Sequence, residues 1–381
     1  MKILIVDTYY PAFLNATYRS KAMASKVSYQ EQLEYLLDQS FGTADFYCKH
    51  LNTLGCEAKD VIANCRQLQS SWIKERGNHF RSLFFGIPPR AYRAPFLGKV
   101  LAGLPRLLDV AIDQIREFKP DVLYCQDLHL FSPTVLSELR PYVKLIVGQI
   151  ASPLPPDHFV VGYDLITTSF QHFVPRIRQK GVDSEYFRIG FDAGIIDKLL
   201  VAAPNIEVSF VGGISRLHGK AVPTLEYLAT HTPIEFFGYG AESLGHDSPI
   251  RKRHRGEVWG LDMYRALARS KITLNRHIDV AENNANNMRL FEATGVGSLL
   301  ITDRKDNLNE LFEIGKEVVA YSSKEEAVEL INHYIAHPAE AIAIAKAGQQ
   351  RTLSEHTYEQ RMQELVPMLE RYLNKKRTRG A

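Results

Sequence analysis

The sequence predicts an α/β protein with two Rossmann-like domains that face each other across a cleft. The first observation is a set of short, continuous apolar runs, such as residues 3–6, which are typical of strands buried on both faces of a parallel sheet. The second is that these runs alternate with helix-like segments along the chain. The third is that the alternation stops once, in a polar, proline-containing joint near residues 202–205, and then restarts. At 381 residues, the chain is also long enough for two domains.

Each half of the chain contains its own series of strands and helices. In the first half we predict strands at 3–6, 57–63, 121–126, 142–148 and 163–168, and helices at 28–39, 45–54, 105–118, 132–139 and 170–180. In the second half we predict strands at 207–212, 233–238, 271–275, 298–302 and 316–321, and helices at 220–230, 261–269, 287–294, 307–313 and 324–336. Residues 338–373 are helical with no strand between the pieces, which predicts a C-terminal helix that crosses back onto the first domain. The predicted boundaries are therefore 1–202, 203–355 and, for the last helix and basic tail, 356–381.

Composition indicates a soluble globular protein that works in a reducing compartment. Hydrophobic residues make up 45% of the chain and charged residues 23%, which is sufficient for a large core. The net charge of +3 is too small to indicate a nucleic-acid-binding protein. The four cysteines show no C-x-x-C spacing, and the N-terminus MKILIVDTYYP lacks the features of a signal peptide. Because no run approaches the apolar length of a membrane span, we expect a cytoplasmic protein, with peripheral membrane association as an open alternative.

The exits of the predicted strands are the candidate ligand sites, because open α/β sheets bind ligands where strands end and helices begin. The strand at 207–212 is followed by a segment that ends in GISRLHGK, which looks like a phosphate-binding P-loop but fails its spacing by one residue. Gly212 and Gly213 still permit close approach of a ligand to the backbone. Arg216 and Lys220 could hold a diphosphate electrostatically. The alternative is a tight turn with two solvated cations.

The segment ANNMRLFEATGVGSLLITD at 285–303 gives a stronger indication of a ligand site. Asn286 or Asn287 can cap the predicted helix and leave the N–H groups of its first turn open to an anion. Arg289 adds a fork-shaped donor at the same end. Glu292 lies in an otherwise apolar helix, where an unpaired carboxylate would be strongly unfavourable. We therefore predict that Glu292 accepts the hydroxyls of a ribose, and an i,i+3 ion pair with Arg289 is the alternative.

Three segments, NNMRLFEATGVGSLLITD, LFEIGKEVVAYSS and AIAKAGQQRTLSEHTYEQRM, resemble the carboxyl half of CgeB-type glycosyltransferases, also called spore-maturation-like proteins. The resemblance is close over residues 207–365 and includes GLDMYRALARSKITLNRH at 260–277. Since that family is assigned to the GT-B superfamily, the resemblance implies two Rossmann-like domains, with a UDP- or GDP-sugar donor held mainly by the second. In retaining GT-B enzymes a glutamate in a related helix binds the donor ribose, and an Arg/Lys pair binds the diphosphate. The resemblance implies these roles for Glu292 and for Arg216 with Lys220.

One departure from the family pattern leaves the stereochemistry of transfer open. Many retaining members carry a second acid eight residues before the ribose-binding glutamate, where this chain has Asn284, with Glu282 nearby. No D-x-D triplet occurs, so a metal-bound diphosphate is not supported, and no metal or other cofactor is predicted. The predicted function is metal-independent transfer of a sugar to an acceptor hydroxyl on a glycan, lipid or protein, in cell-surface polysaccharide synthesis. A nucleotide-sugar epimerase and a non-catalytic nucleotide-sugar-binding protein are the alternatives.

The catalytic base is predicted in the first domain, where the third predicted strand ends in the sequence QDLH. Asp127 and His129 would lie at the mouth of the cleft, where either could take the proton of an acceptor hydroxyl, and a structural role in the core is the alternative. Asp45 is a third candidate that competes with a role as a helix cap. In the second domain Asn275 and His277 end a predicted strand, and we predict that both face the donor.

A basic, aromatic insertion at 76–108 is predicted to bind the acceptor or the membrane that holds it. The insertion contains no acidic residue, and its cations and aromatic residues are Arg76, Arg81, Arg90, Arg93, Lys99 and Arg106 with Phe80, Phe84, Phe85, Tyr92 and Phe96. Cations among exposed aromatic side chains suit an anionic membrane surface or a lipid-linked acceptor. The alternative is a loop folded onto the first domain with solvated arginines. The basic runs at 251–255 and 375–379 are expected on solvated surface.

Overall fold

A computed structural model describes residues 1–78, 80, 83–86, 106–199, 203–214 and 221–380. Within these residues each half of the chain forms a parallel sheet, which confirms the predicted fold class. The first sheet has the strand order β2-β1-β3-β4-β5-β6, with β1 (Lys2–Asp7), β2 (Glu57–Ile62), β3 (Val122–Cys125), β4 (Leu145–Ile150), β5 (Leu165–Thr168) and β6 (Asp183–Tyr186). The second has the order β11-β10-β9-β7-β8, with β7 (Ile206–Val211), β8 (Ile234–Phe237), β9 (Ser270–Asn275), β10 (Leu299–Asp303) and β11 (Val319–Tyr321).

Helices connect the strands in both halves. Those of the first half are α1 (Pro11–Tyr18), α2 (Lys21–Ala24), α3 (Tyr29–Asp38), α4 (Phe46–Thr53), α5 (Arg66–Glu75), α6 (Leu107–Phe118), α7 (Pro133–Leu139), α8 (Asp157–Val160), α9 (Phe173–Arg178) and α10 (Gly194–Lys198). Those of the second are α11 (Val222–His231), α12 (Pro249–Lys252), α13 (Leu261–Ala268), α14 (Met288–Gly295), α15 (Leu308–Leu311), α16 (Lys324–Ala336), α17 (Pro338–Glu355) and α18 (Tyr358–Gly380). Across the described ranges, no helix is both long enough and apolar enough to cross a membrane.

The continuous apolar runs form strands because both faces of each sheet are covered. In β1 the side chains of Ile3 and Ile5 enter one hydrophobic core, and those of Leu4 and Val6 enter a second core on the opposite face. All four are buried, so the strand has no polar face and its sequence shows no alternation.

Seven of the elements named above were not predicted: the helices α1, α2, α5, α8, α10 and α12 and the edge strand β6. The sequence of β6, DSEY, contains none of the apolar signal on which the other strand predictions depend. Its backbone nevertheless pairs in parallel with β5, from Asp183 opposite Leu165 to Tyr186 opposite Thr168. Since an edge strand exposes polar side chains, hydropathy alone could not distinguish β6 from a loop.

The C-terminal helix crosses back onto the first domain, as the fold prediction expected. Tyr358, at its start, packs its ring against α4. Near its end, Lys375 and Lys376 form ion pairs with Asp183 and Asp164 at 2.5 and 2.7 Å. The basic tail, expected on solvated surface, therefore ties the helix to the edge of the first sheet.

The two domains also touch at the start of α13. The Leu261 N–H donates a hydrogen bond to the carbonyl oxygen of Gln39 at 2.8 Å. Gly260, just before it, has a φ of +52°, and a Cβ atom there would lie 2.1 Å from the same carbonyl oxygen. Only glycine fits this position, because both the backbone conformation and the close approach exclude a side chain.

Candidate functional site

A cavity of about 250 Å³ lies between the two domains at the carboxyl ends of their strands. The first domain lines it with residues from the α4 start and from the exits of β4, β5 and β6: Thr43, Gln149, Ala151, Phe170 and Ile189. The second domain contributes the segment between β9 and α14, chiefly His277, Ile278, Ala281, Asn286, Asn287 and Met288. A larger concavity, of about 710 Å³, lies along the outer edge of β2. We place the site in the smaller cavity because ligands of open α/β sheets bind at strand carboxyl ends.

The N-terminus of α14 opens onto this cavity. Asn287 occupies the N-cap position, yet its side chain makes no capping hydrogen bond. Instead Asn287 Nδ2 donates to Asn275 Oδ1 at 2.7 Å, and Asn275 Nδ2 donates to Thr302 Oγ1 at 2.9 Å. Asn275, predicted to bind the donor, does not line the cavity and acts here by holding Asn287. The first turn of the helix is thus left without a side-chain cap, which is the condition for receiving an anion.

The carboxylate of Glu292 is paired with Arg289, so the predicted alternative contact is present in the structure. Arg289 Nη1 lies 2.8 Å from Glu292 Oε2, close enough for an ion pair, and Arg289 Nε donates to the Val211 carbonyl at 3.1 Å. Arg289 was predicted to face an anion at the helix start, but it points towards the end of β7. Only 5% of Glu292 is exposed, and burial raises the pKa of its carboxyl, opposed by Arg289 and by a hydrogen bond from Tyr264. The ribose role of Glu292 stays a prediction.

Gly213, two residues after the end of β7, makes room for an aromatic side chain. A Cβ atom on Gly213 would lie 2.5 Å from the ring of Tyr239. A Cβ atom on Gly238 would lie 2.2 Å from the carbonyl oxygen of Gly212. Tyr239 stacks on Trp259 with a centroid distance of 5.7 Å and an interplanar angle of 9°. Gly213 therefore permits this aromatic stack, and the role predicted for both glycines in the approach of a ligand stays a prediction. Arg216 and Lys220, the predicted diphosphate cations, lie outside the described residues.

We expect Gly213→Ala to displace Tyr239 from Trp259, because the new methyl group would overlap the tyrosine ring. Overpacking of this kind costs about 1–3 kcal/mol of stability. Since the chain has two tryptophans, the fluorescence of Trp259 can be followed in a Trp72→Phe background. Gly212→Ala is the matched control, because its Cβ atom would come no closer than 3.4 Å to its neighbours. Equal spectra for the two variants would contradict the expectation.

The predicted base residues of the first domain form a histidine–aspartate pair. Asp127 Oδ1 accepts a hydrogen bond from the backbone N–H of His129 at 2.9 Å and lies 3.2 Å from its Nδ1. Thr8 Oγ1 donates to the other carboxylate oxygen at 2.9 Å. The carboxylate is therefore held from two sides, and the imidazole, whose side chain is 51% exposed, can exchange protons with a hydroxyl. Asp45 occupies the N-cap position of α4 without a capping bond, and burial raises the pKa of its carboxyl.

Asp7, which the sequence analysis did not select, ends β1 beside this pair. Burial and, to a smaller extent, the charge of Asp127 raise the pKa of its carboxyl to about 7, against the hydrogen bond from the Thr8 N–H. A carboxyl group with such a pKa can hold or release a proton near neutral pH. Its only sequence signal is its position at a strand exit, which it shares with many structural aspartates.

We expect Asp7→Asn to stabilise the protein at pH 8 and to change little at pH 4. The folded pKa of about 7 exceeds the ordinary value of 3.8, so the stability linked to this proton is fully present below pH 3.8 and is lost as the pH rises through 7. Because Asp7 is only half-buried, we expect a gain of about 1–2 kcal/mol, a fraction of the full shift. Urea titrations at both pH values measure it, with the exposed Asp247→Asn as control. A gain of the same size at pH 4 would contradict the assignment.

The loop between β9 and α14 is hydrogen-bonded to the first domain. Arg176 donates two hydrogen bonds to Glu282, at 2.7 and 3.0 Å, and His172 lies 2.8 Å from the Asn284 amide nitrogen. Glu282 has a φ of +50°, which is strained for a residue with a side chain. Asn284, where the resembled family often has an acid, and Glu282 therefore contact the first domain in this structure.

His277 lies at the other wall of the cavity with a partner that the sequence analysis did not find. Its Nδ1 is 2.7 Å from Asp303 Oδ1, which also accepts a hydrogen bond from the His277 backbone N–H at 2.9 Å. Asp303 ends β10, one position beyond Thr302, which pairs with Asn275 of β9. The only signal in the sequence was therefore that two neighbouring strands end with polar side chains.

The second domain matches a known protein-family model. Residues 215–367, which include His277, Asn287 and Glu292, match a family model described as glycosyl transferase-like. None of the curated protein sequences compared with the chain matches it.

Solved glycosyltransferase structures share the whole two-domain architecture. Alr3699/HepE of Anabaena is 16% identical, with 97% of this chain and 99% of that chain covered and a TM-score of 0.58. A sucrose-phosphate synthase of Thermosynechococcus elongatus is 10% identical, with coverages of 98% and 99% and a TM-score of 0.58. AviGT4, a glycosyltransferase involved in avilamycin A biosynthesis, is 15% identical, with coverages of 98% and 98% and a TM-score of 0.55. The likeness shows the GT-B fold, and the match of residues 215–367 to the glycosyl transferase-like model agrees with the predicted glycosyltransferase activity.

Proposed function

We propose that the chain is a CgeB-type glycosyltransferase that moves a sugar from a nucleoside diphosphate, with UDP as the first candidate, to an acceptor hydroxyl. The observation that carries the proposal is the cavity between the sheets, where the uncapped start of α14 faces the strand exits of the first domain. The second-domain residues that line the cavity lie inside the segment that matches the glycosyl transferase-like model. UDP is chosen because HepE, which shares the fold, was crystallised with UDP-glucose and with UDP.

In this proposal the two domains divide the chemistry. The start of α14 receives the diphosphate, whose charge increases as its bond to the sugar breaks, and the N–H groups of the helix stabilise that charge. Glu292 lies on the same helix and binds the ribose. His129, oriented by Asp127, takes the proton of the acceptor hydroxyl as it attacks the sugar. No step requires a metal ion.

A thermal-shift comparison of UDP, GDP, ADP and dTDP, each with and without EDTA, tests the donor site. We expect UDP to raise the melting temperature, because a ligand that binds only the folded state at 100 times its Kd stabilises it by about 2.7 kcal/mol. EDTA should leave the shift unchanged, and uridine should give a smaller one. If none of the four diphosphates stabilises the protein at millimolar concentration, the proposal fails. Neither the family match nor the similar structures support the epimerase or the non-catalytic alternative.

The proposal includes a cytoplasmic location and a contact with a membrane-held acceptor through the insertion at 76–108, in the synthesis of a cell-surface polysaccharide. Residues 79, 81, 82 and 87–105 lie outside the described residues. At the start of the insertion Phe80 and Leu83 are 68% and 70% exposed, which supports an apolar contact. Arg76 instead stacks on Trp72 and pairs with a glutamate of α6 at 2.6 Å, so it belongs to the first domain's own packing.

We expect Phe80→Ser/Leu83→Ser to reduce co-sedimentation with vesicles of anionic phospholipid at low salt, because two exposed apolar side chains would no longer enter the lipid surface. The matched control is Val27→Ser, which changes an 81% exposed apolar residue outside the insertion. Equal sedimentation of wild type and double variant would contradict this membrane contact.

A further inference from the structure

His277 presents a buried nitrogen atom to the donor cavity. The residue is 2% exposed and lines the cavity wall. Its Nδ1 is engaged by Asp303, whereas its Nε2 has no hydrogen-bond partner within the described residues. A buried polar nitrogen without a partner is unfavourable, so its presence in a cavity points to a ligand that supplies the missing hydrogen bond.

A second, independent atom in the same cavity has the same property. Asn286 is 6% exposed, and its Oδ1 is buried without a partner in the described part of the chain. Asn287, the next residue, is the N-cap of α14 that makes no capping bond. Nε2 of His277, the amide of Asn286 and the helix start thus offer polar groups to one small cavity from the second domain. A ligand placed there must offer a hydrogen-bond donor to the Asn286 oxygen and an acceptor to a protonated His277 Nε2, and a nucleotide sugar carries both, in its hydroxyls and its phosphate oxygens.

The Asp303 carboxylate is the charged partner of His277. Burial raises the pKa of the Asp303 carboxyl, but the hydrogen bond and charge of His277, with the charge of Lys305, outweigh this and bring the pKa to about 2. Asp303 is therefore a carboxylate at neutral pH and accepts the Nδ1 proton. Lys305 shares that carboxylate at 3.2 Å, and Arg276 is paired with Asp279 at 3.2 Å. Of the other elements, α18 contributes Tyr358, and the first domain lines the cavity with neutral side chains.

We propose that His277, oriented by Asp303, donates its Nε2 proton to the diphosphate leaving group of the nucleotide sugar. This inference rests on the proposed function, because it assigns a role within the same donor site. A protonated Nε2 suits a phosphate oxygen, whereas an unprotonated Nε2 would place a lone pair against it. Asp303 is a positioning residue in this scheme, since it touches the imidazole and not the ligand.

The step balances in atoms and charge. The bond between the sugar carbon and the diphosphate oxygen breaks, and its electron pair stays on that oxygen. The Nε2 proton passes to the oxygen, while the acceptor hydroxyl loses its own proton on the opposite side of the cleft. After the diphosphate leaves, neutral His277 takes a proton from water. Donation at the leaving group contributes typically about 10²–10⁴-fold to such reactions.

The pH dependence of UDP binding tests the inference without an acceptor. Calorimetric titrations from pH 6 to pH 8.5 are made on the wild type, His277→Gln and Asp303→Asn, with uridine as the probe that lacks phosphate. We expect the wild-type affinity for UDP to fall at least tenfold more across this range than that of His277→Gln, in which the phosphate alone titrates. In Asp303→Asn the midpoint of the fall in UDP affinity should lie at a lower pH than in the wild type, because the imidazolium loses its carboxylate partner. His246→Gln, an exposed histidine of the same domain, should behave as the wild type.

Each outcome separates this inference from the function on which it rests. Identical pH profiles for wild type and His277→Gln would overturn the role of His277 while leaving the donor site intact. If the wild type fails to bind UDP at any pH, the proposed function fails instead. Uridine binding shows that a variant is folded. Should His277→Gln not fold, the midpoint of Asp303→Asn decides, and an unchanged midpoint overturns the inference.

Discussion

Glu292→Gln is expected to abolish the stabilisation of the protein by UDP and also to lower its melting temperature. The carboxylate is 5% exposed, and its charge is opposed by Arg289 at 2.8 Å. Glutamine has the same shape but leaves the Arg289 charge buried without its partner, which costs about 3–5 kcal/mol. In the proposed function the same change removes the acceptor of the ribose hydroxyls. Thermal melts with and without UDP measure both effects.

The double variant Arg289→Met/Glu292→Leu separates the structural effect from the functional one. Replacing both members of a buried ion pair by apolar residues of similar size is often neutral or stabilising. We therefore expect the double variant to melt closer to the wild type than Glu292→Gln does, and still to show no shift with UDP. If the double variant binds UDP as the wild type does, the pair with Arg289 is the whole role of Glu292, and the ribose assignment is wrong.

Continuous apolar runs predicted most of the fold because these sheets are covered on both faces. Every strand of that kind was located to within a few residues, including β4, predicted at 142–148 and found at Leu145–Ile150. The crossover of the last helix followed from the absence of a strand after residue 337. The edge strand β6 and the helices α1 and α5 gave no comparable pattern. A single sequence contains no information on which polar strand completes a sheet.

The site was predictable only where its residues are neighbours in the sequence. The i,i+3 contact of Arg289 with Glu292 follows from helix geometry, and the sequence analysis named it as an alternative. The pairing of His277 with Asp303 depends on the register of β9 against β10, across 26 positions. Tyr239 fills the space beside Gly213 from a different strand. Contacts of this second kind are set by tertiary packing, which no local pattern encodes.

Arg361→Met is expected to cause one of the largest losses of stability in the molecule. Arg361 has no exposed surface and is the largest fully buried side chain of the described chain. Its guanidinium donates to the Ile189 carbonyl at 3.2 Å, to the Glu355 carbonyl at 2.9 Å and to Glu364 at 2.6 Å. Methionine fills similar space but leaves the two buried carbonyl groups without these bonds. Each such loss costs about 1–3 kcal/mol.

The guanidinium also joins the two domains through a histidine. Arg361 Nη2 lies 3.1 Å from His356 Nδ1, and the Nε2 of that ring lies 2.8 Å from the Leu311 carbonyl of the second domain. Burial lowers the pKa of His356 to about 4, against the hydrogen bond to Leu311 and with help from the charge of Arg361. His356 is therefore neutral, with Nδ1 accepting from the arginine and Nε2–H donating to the carbonyl. The arginine thus holds together the turn at which the chain leaves the second domain for the first.

Arg371→Met is the control that shows whether the loss of stability in Arg361→Met is due to the burial of the arginine. Arg371 forms an ion pair with Glu185 at 2.7 Å, and its side chain is 61% exposed, so its loss should cost at most about 1 kcal/mol. We expect Arg361→Met to cost about 3–5 kcal/mol, measured by urea unfolding at pH 7.5, where His356 is neutral in both folded and unfolded chains. Equal losses for the two variants would show that the buried guanidinium contributes no more than a surface charge. In that case the crossing of α18 would depend on the lysine ion pairs near its end and on the packing of Tyr358, because these contacts remain in both variants.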